Sequence, residues 1–182
     1  MEIRTATQAD YAFIKDIQNK HRDEIGFIPP GATQREIEWG HILFAEENDD
    51  DAGFLLVQPT LGGQRTTAAI IQAAVRMDAR RMKIGLALVA AIAAKAKSAG
   101  STILQCWCRN DLDANMFWHA AGFHHIATRK GGTIKGIPCA LWRLPLNIPA
   151  DALSILPAEG RNGPGGRFQR RVKRLPLFDA QT

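Results

Sequence analysis

The sequence predicts a mixed α/β fold, with one mostly antiparallel sheet of about seven strands and helices packed on both of its faces. Segments rich in β-branched and aromatic residues alternate with amphipathic helical segments, in the order β-α-α-β-β-β-α-β-α-β-β. One helix joins the fourth strand to the fifth, which predicts a parallel, right-handed βαβ unit. The rest of the sheet can pair antiparallel, as the short turn between the second and third strands favours.

Strand propensity and turn residues locate the individual strands. An acidic turn at residues 47–51 makes a hairpin of the second and third strands, and a Gly-containing turn at residues 61–63 precedes the fourth. A Gly-rich loop, residues 130–138, separates the last two. The predicted strands are residues 2–6, 41–46, 53–58, 66–76, 102–109, 124–129 and 139–144.

Capping residues mark the helix ends. Thr7 caps a first helix that ends near residues 20–22, and Thr33 caps a short second helix through residue 39, with Glu36 completing a capping box. The third helix spans residues 85–98, and Gly100 ends it in the left-handed conformation. Asp111 caps the last helix, which ends at the pair Gly122-Phe123.

Composition indicates a globular protein of one domain. The chain has 182 residues, of which 46% are hydrophobic, enough to build a core. Its three cysteines are an odd number, unlike a secreted disulfide framework. No apolar run approaches the roughly 20 residues needed to span a bilayer, and the first 20 residues mix charges throughout. We therefore expect a cytoplasmic protein with no membrane partner.

The net charge of +5 comes from the C-terminus. Residues 161–182 hold six basic side chains and one acidic, which leaves 17 of each in residues 1–160. We predict a folded domain at residues 1–146 and a basic, Gly- and Pro-containing tail at residues 147–182. Such a tail can be a solvated terminus, a segment that docks on the second subunit of a homodimer, or a segment that binds nucleic-acid phosphates. The first two uses are the commoner ones.

The link between the fourth strand and the third helix is basic and contains a glycine. Arg80, Arg81 and Lys83 precede Gly85, where the helical pattern begins. The N–H groups of a first helical turn are unpaired, and the helix dipole adds partial positive charge there. A strand, a basic loop and a helix N-terminus in this order predict a phosphate ligand, with a solvated connection as the alternative.

Two motifs in this order resemble the GNAT N-acetyltransferase superfamily. Its first signature is a strand ending in Val and then an R/Q-x-x-G-x-G/A loop that opens a helix, which corresponds here to Val75 and residues 80–85. Its second is a helix ending in Gly-Phe, usually with an Asn, an Ala and a Tyr before it, and residues 111–123 fit that frame. The resemblance covers about residues 1–146.

The resemblance implies transfer of an acetyl group from acetyl-CoA to a primary amine of a small molecule or a protein, directly, in a ternary complex and without a metal. It also implies that strands four and five splay apart around the thioester. Main-chain groups of the fourth strand would hold the pantetheine arm, and the amides of residues 81–86 the pyrophosphate. The implied cofactor-binding residues are Ala73, Val75, Arg80, Arg81, Met82, Lys83, Ile84, Gly85, Leu86, Asn110, Asn115 and Trp118.

Two residues are candidates for contact with the acceptor. Phe27 lies between the first two helices, a region that walls the acceptor pocket in the family, and core packing is its alternative role. Gln72 lies on the fourth strand, where it can meet substrate or satisfy a neighbouring backbone group.

The chain departs from the family pattern at functional positions. Lys83 replaces the first loop glycine, and a side chain there is tolerable only if the local φ is negative. Trp118 replaces the Tyr that protonates the departing thiolate, and an indole N–H is no acid at neutral pH. The fourth strand has no carboxylate or His to act as base. We assign no catalytic residue; His41, Glu46 and Glu47 are weak candidates for the base.

Cys106 and Cys108 lie two residues apart on the fifth strand, so both sulfurs lie on one face of it. A metal site would need more ligands at closer spacing, and core packing is the favoured interpretation. Two functions of other classes stay open beside the enzyme. The domain can be a coenzyme A-binding module that no longer catalyses, as the missing Tyr and base permit, or an adaptor that binds nucleic acid or protein through the tail.

Overall fold

The computed structural model describes residues 1–58, 67–131 and 136–147. The predicted turn at residues 61–63, the centre of the loop at residues 130–138 and the tail beyond Asn147 lie outside these ranges. The described strands are β1 (Glu2–Thr5), β2 (Ile42–Glu47), β3 (Asp50–Gln58), β4 (Thr67–Val75), β5 (Ile103–Arg109), β6 (His124–Arg129) and β7 (Cys139–Pro145). The described α-helices are α1 (Tyr11–Lys20), α2 (Arg22–Ile25), α3 (Pro30–Glu38), α4 (Ile84–Ser98) and α5 (Ala114–Ala120).

The strands form one mixed sheet in the order β1-β2-β3-β4-β5-β7-β6. Every described neighbouring pair is antiparallel except β4 and β5, which are parallel and are joined by α4. One apolar cluster packs α4 and α5 on one face of the sheet, and a second packs α1 and α3 on the other. The predicted fold class is therefore confirmed. No helix in the described ranges combines the length and apolar character needed to cross a membrane.

The parallel pair β4–β5 is joined over only part of its length. Pairing runs from Thr67–Ile103 to Ile70–Cys106 and stops there, although both strands continue. On the other side of β4, Val57 pairs with Ile70 and Leu56 with Gln72, so Ile71 is an extra residue, a β-bulge. A bulge bends its strand and increases the local twist, so β4 diverges from β5 where their pairing stops. The predicted splay is confirmed.

The predicted helix starts were correct at one cap and wrong at two. Thr7 and Asp10 form a capping box on the single 3₁₀ turn that leads into α1. Helix α3 begins at Pro30, three residues before the predicted cap Thr33, because a first helical turn tolerates a residue without an N–H. Asp111 is not the cap of α5, since its carboxylate pairs with Arg109 at 2.8 Å.

Positive backbone φ angles end two helices and close one hairpin. Gly100 and Gly122 both have φ of 86°, which confirms the predicted left-handed ends of α4 and α5. The turn between β2 and β3 consists of Asn48 and Asp49, with φ of 53° and 65°. Two left-handed residues in succession match the right-handed twist of the flanking strands, so the predicted hairpin is tight.

Candidate functional site

A cleft of about 1210 Å³ opens where β4 and β5 diverge. Pockets for drug-sized ligands run from about 300 to 1,000 Å³, so this cleft has room for a larger, elongated ligand. It extends from the basic loop before α4, along β4, to the wall formed by α2. The predicted site residues that line it are Gln72, Ala73, Val75, Arg80, Arg81, Lys83, Ile84, Gly85, Leu86 and Trp118.

The loop that enters α4 contains two non-glycine residues in the left-handed region. Arg81 has φ of 70°, and Lys83, the residue before α4, has φ of 62°. The expectation that a side chain at position 83 is tolerable only with a negative φ is therefore wrong. Each such residue costs about 1–2 kcal/mol, and strain of this kind persists where surrounding structure imposes it. Lys83 is left-handed and directly precedes the right-handed helix, and such a turn directs successive N–H groups into one concavity that suits an anion.

The charge of this loop is not neutralised by the described part of the chain. Arg80, Arg81 and Lys83 are exposed, and none forms an ion pair with a described carboxylate. The N–H groups of the first turn of α4 have no acceptor within the helix, and α4 is 15 residues long. Cations, free amides and the positive end of the helix dipole therefore coincide at one end of the cleft.

Gly85 allows α4 to begin close to α5. A Cβ added there would lie 3.1 Å from Cε2 of Phe117, tighter than ordinary van der Waals contact. The start of α4 and the middle of α5 therefore meet closely at a residue without a side chain, and a Cβ there would require the Phe117 ring to shift by a few tenths of an ångström. The contact places the first amides of α4 beside the cleft.

The β4 side of the cleft is a strand edge. Beyond Ile70 the backbone groups of β4 that face β5 have no strand partner, while its other edge stays paired with β3 as far as Val75. Ala73 and Val75 lie on this stretch, half-buried, and Gln72 is buried. Their side chains are small or directed elsewhere, so the main chain is what this wall presents.

Gln72 belongs to a buried hydrogen-bond network. Its amide nitrogen donates to the carbonyl of Gly26 at 3.0 Å and to that of Ile25 at 3.3 Å, and its oxygen accepts from Gln18 at 2.7 Å. The Gln18 oxygen in turn accepts from the Thr33 hydroxyl at 3.1 Å. Of the two roles predicted for Gln72, contact with substrate and hydrogen bonding to neighbouring backbone groups, the structure shows the second. It ties the end of α2 to β4.

Arg109 ties α2 to the other strand of the cleft. Its guanidinium donates to both carboxylate oxygens of Asp111, at 2.9 and 2.8 Å, and to the backbone carbonyl of Asp23. Helix α2 is therefore anchored to β4 through Gln72 and to β5 through Arg109. It spans the opening of the cleft on the face of the sheet away from α4.

Trp118 lines the cleft and also packs in the core. Its side chain is 6% exposed and makes edge-to-face contacts with Phe117 and Phe123.

Burial raises the pKa of the Cys108 thiol to about 11, although a hydrogen bond with Trp118 acts in the opposite direction. Cys106 and Cys108 both belong to the core beside α4, which confirms core packing. Among the described residues no group of three His, Cys, Asp or Glu is arranged to hold a metal ion.

Four predicted site residues do not line the cleft. Met82 is exposed on the basic loop, and the backbone N–H of Asn110 donates to Pro138. Asn115 donates to the carbonyls of Arg109 and Leu112 and accepts from the Trp142 indole, so all its bonds are internal. Phe27 is 56% exposed, with the Arg22 guanidinium 4.4 Å from its ring centre.

A histidine that the sequence did not single out lies in the cleft. His21 lines it with a largely buried side chain, and its Nδ1 is 2.9 Å from Oε2 of Glu24. The spacing of three residues across the start of α2 was the available sequence signal. The three bases considered from the sequence lie elsewhere. His41 pairs with Glu36, Glu46 with Arg4, and Glu47 with the N-terminal amine.

The family model described as the acetyltransferase (GNAT) family matches residues 11–123 of the chain, more than half of it. This match includes the divergent strands, the basic loop and α5. No curated protein sequence matches the chain.

Solved structures with the same fold include YncA from Salmonella typhimurium with its cofactor acetyl-CoA, at 22% identity and a TM-score of 0.68, covering 82% of this chain and 96% of that one. Ribosomal-protein-alanine N-acetyltransferase from Brucella melitensis is 20% identical with a TM-score of 0.69, covering 80% and 100%. Ard1 from Thermoplasma volcanium is also 20% identical, with a TM-score of 0.69, covering 80% and 97%.

Proposed function

We propose that this chain, which belongs to the acetyltransferase (GNAT) family, transfers an acetyl group from acetyl-CoA to a primary amine by direct attack within a ternary complex. The observation that carries the proposal is the cleft itself. It joins an anion-binding loop at one end to a strand edge with free main-chain groups in the middle. A similar structure was solved with acetyl-CoA, which supports the choice of acyl donor.

The cofactor placement follows from the charges and the free backbone groups. The pyrophosphate lies on the amides at the start of α4, with the cations of Arg80, Arg81 and Lys83 around it. The pantetheine arm runs along the main chain at Ala73 and Val75. The thioester then lies between β4 and β5, beside Trp118.

The chemistry needs a neutral amine and a stabilised oxyanion. The amine nitrogen forms a bond to the thioester carbon, the carbon–sulfur bond breaks, and the amine proton passes to a base. We assign that base to His21, which lines the cleft, because its Nδ1 pairs with Glu24 and Nε2 is then the nitrogen that can accept the proton. The thiolate is a good leaving group and takes its proton from water or from the substrate, since Trp118 cannot supply one.

The test is thiol release from acetyl-CoA with a panel of small amines, peptides and proteins, together with calorimetry of coenzyme A binding. We expect micromolar binding or tighter and amine-dependent thiol release. If coenzyme A binds but no acetyl group is transferred to any acceptor, the alternative function, a coenzyme A-binding module, would be favoured over the enzyme. Trp118 in place of an acid is the observation that favours that alternative.

A further inference from the structure

Two buried N–H donors on β5 have no partner among the described residues. They are Nε2 of Gln105, whose residue is 1% exposed, and Nε1 of Trp107. Both residues line the cleft. Buried donors are almost always hydrogen-bonded, so two orphans on one wall of a cleft point to an acceptor group that a ligand brings.

The orientation of the Gln105 amide is fixed by its neighbour. Its Oε1 accepts from Nε of Arg143 at 3.1 Å, and Arg143 is itself 2% exposed. A guanidinium can only donate, so the atom facing it must be the oxygen. The NH₂ group is therefore the part of Gln105 that is left for a ligand.

Gln105 and Trp107 are directed to the same side of the sheet. Side chains alternate along a strand, and Cys106 and Cys108 between and beside them pack in the core with α4. The two orphan donors therefore face the side that carries α2. This is the side from which an acceptor would reach the thioester.

A cation lies beside these donors. The Arg129 guanidinium stacks 4.1 Å from the centre of the Trp107 ring, and Arg129 lines the cleft. It makes no ion pair with a described carboxylate. Two N–H donors and a planar cation together match a group with two anionic oxygens better than a single neutral carbonyl.

The opposite wall has the opposite character. Asp23 and Glu24 of α2, and His21 directly before it, line the same cleft. Since Arg109 on β5 is neutralised by Asp111, the cleft is bipolar through N–H donors on β5 and the Arg129 cation on β6, opposite a base and negative charge at α2. An acceptor whose amine lies at α2 would place an anionic group at β5.

We propose that the acetyl acceptor is a carboxylate-bearing primary amine, an amino acid or a short peptide, whose carboxylate is bound by Gln105, Trp107 and Arg129. This rests on the proposed acetyl transfer for the identity of the reaction. The binding of the acceptor can be measured without it.

The test uses L-amino acids and the matching amino acid amides, titrated by calorimetry into full-length protein saturated with coenzyme A and assayed by thiol release with acetyl-CoA. We expect the best amino acid to bind and react about 100-fold better than its amide, because a site built for an anion rejects the neutral analogue. Gln105→Glu keeps the acceptor for Arg143 and replaces only the NH₂ group. Trp107→Phe removes the indole N–H and keeps an aromatic ring beside Arg129.

Each variant should raise the acceptor Kd and KM about tenfold or more and leave coenzyme A affinity unchanged. Gln8→Glu on the exposed surface is the control. If the amino acids and their amides bind and react equally well, or if acceptor binding is unchanged in both variants, the inference would be overturned. A fall in kcat that is the same for every acceptor would overturn it too, since the donors would then serve the acetyl oxygen. If amino acids bind, and Gln105→Glu abolishes that binding, but no acetyl transfer is seen, the inference would be supported and the proposed transfer refuted.

Discussion

The side-chain amide of Gln72 donates to the backbone carbonyl of Gly26 at 3.0 Å, across 46 residues of sequence. Through this bond the strand that presents its main chain to the cleft also holds the helix that covers the cleft. The positions of the two walls are therefore coupled.

We expect Gln72→Met to destabilise the protein by about 2–3 kcal/mol, because the buried amide of Gln18 and the carbonyls of α2 lose their partner. Urea unfolding measures this loss. The acceptor KM should rise more than the acetyl-CoA KM, since α2 contributes to the acceptor side. Gln8→Met, which removes one exposed hydrogen bond to Gln34, should change stability by less than about 0.5 kcal/mol. Equal losses in the two variants would contradict the coupling.

Lys83→Gly should stabilise the fold by about 1 kcal/mol, because glycine takes a φ of 62° without the steric cost of a Cβ. Lys83→Ala is the matched control. It removes the same charge but keeps the Cβ, so it should give no such gain. Thermal or urea unfolding of the two variants side by side isolates the backbone contribution, and equal stabilities would show that Lys83 is unstrained.

Charge reversal at Arg81 and Lys83 should weaken coenzyme A binding by about 100-fold at low salt, since each change replaces an attraction to the pyrophosphate by a repulsion. The difference should shrink in 0.5 M salt, because exposed charges are screened there. Calorimetry at two salt concentrations measures both effects. Lys97→Glu at the far end of α4 is the control. Gly85→Asp would be a poor probe, since its side chain would also meet Phe117.

His21→Ala should lower kcat/KM by about 100-fold or more, the usual contribution of a positioned base. Coenzyme A affinity should stay unchanged, because His21 lies at the α2 end of the cleft. Glu24→Gln should have a smaller effect, since it removes the negative charge beside Nδ1 but keeps an oxygen that can accept its hydrogen bond. An exposed histidine, His124, provides the control through His124→Ala. Activity that stays within twofold in His21→Ala would remove His21 from the mechanism.

Asp10 should give the fold an acid-sensitive contribution. Burial alone would raise the pKa of Asp10, but hydrogen bonds from Arg4 and Thr7 outweigh it and hold the pKa below its ordinary value of 3.8. The carboxylate therefore stabilises the fold above about pH 4, and that contribution is lost as the pH falls through the lowered folded-state pKa.

Asp10→Asn should accordingly cost about 2 kcal/mol at pH 7 and less at lower pH, measured by urea unfolding across the pH range. Asp16→Asn provides the control, because Asp16 forms an exposed pair with Lys20. A pH-independent difference between wild type and Asp10→Asn would contradict the assigned pKa direction.

The fold was accessible from the sequence because its signals are local. The left-handed conformation of Gly100 and Gly122 depends only on neighbouring residues, and so does the alternation of side-chain direction around Trp107. The predicted cap of α3 at Thr33 was wrong because residues 30–33 contain two helix-start signals, and the helix begins at the first of them, Pro30. The requirement of a negative φ at Lys83 was wrong because a rule based on residue type alone does not include the surrounding structure that imposes a positive φ.

The acceptor side of the cleft was less accessible for the same physical reason. His21 and Glu24 are neighbours in sequence, but α2 is held at the cleft by bonds from Gln72 and Arg109, which are 46 and 86 residues away along the chain. Gln105 was visible as a polar residue in an otherwise apolar strand. Its unpaired NH₂ group became apparent only when Arg143 was placed opposite it.

The divergence of β4 from β5 has a consequence for the protein without its ligand. Because β4 and β5 pair over only part of their length, the sheet has unpaired strand edges in its middle. Unpaired strand edges can pair with strands of other chains. A cofactor arm lying along β4 would complete the hydrogen-bond ladder, so binding and folding are linked. At a coenzyme A concentration 100 times its Kd, the native state gains about 2.7 kcal/mol. We therefore expect this protein to resist aggregation better when coenzyme A is supplied during its synthesis and storage, with a gain that rises as the logarithm of the coenzyme A concentration.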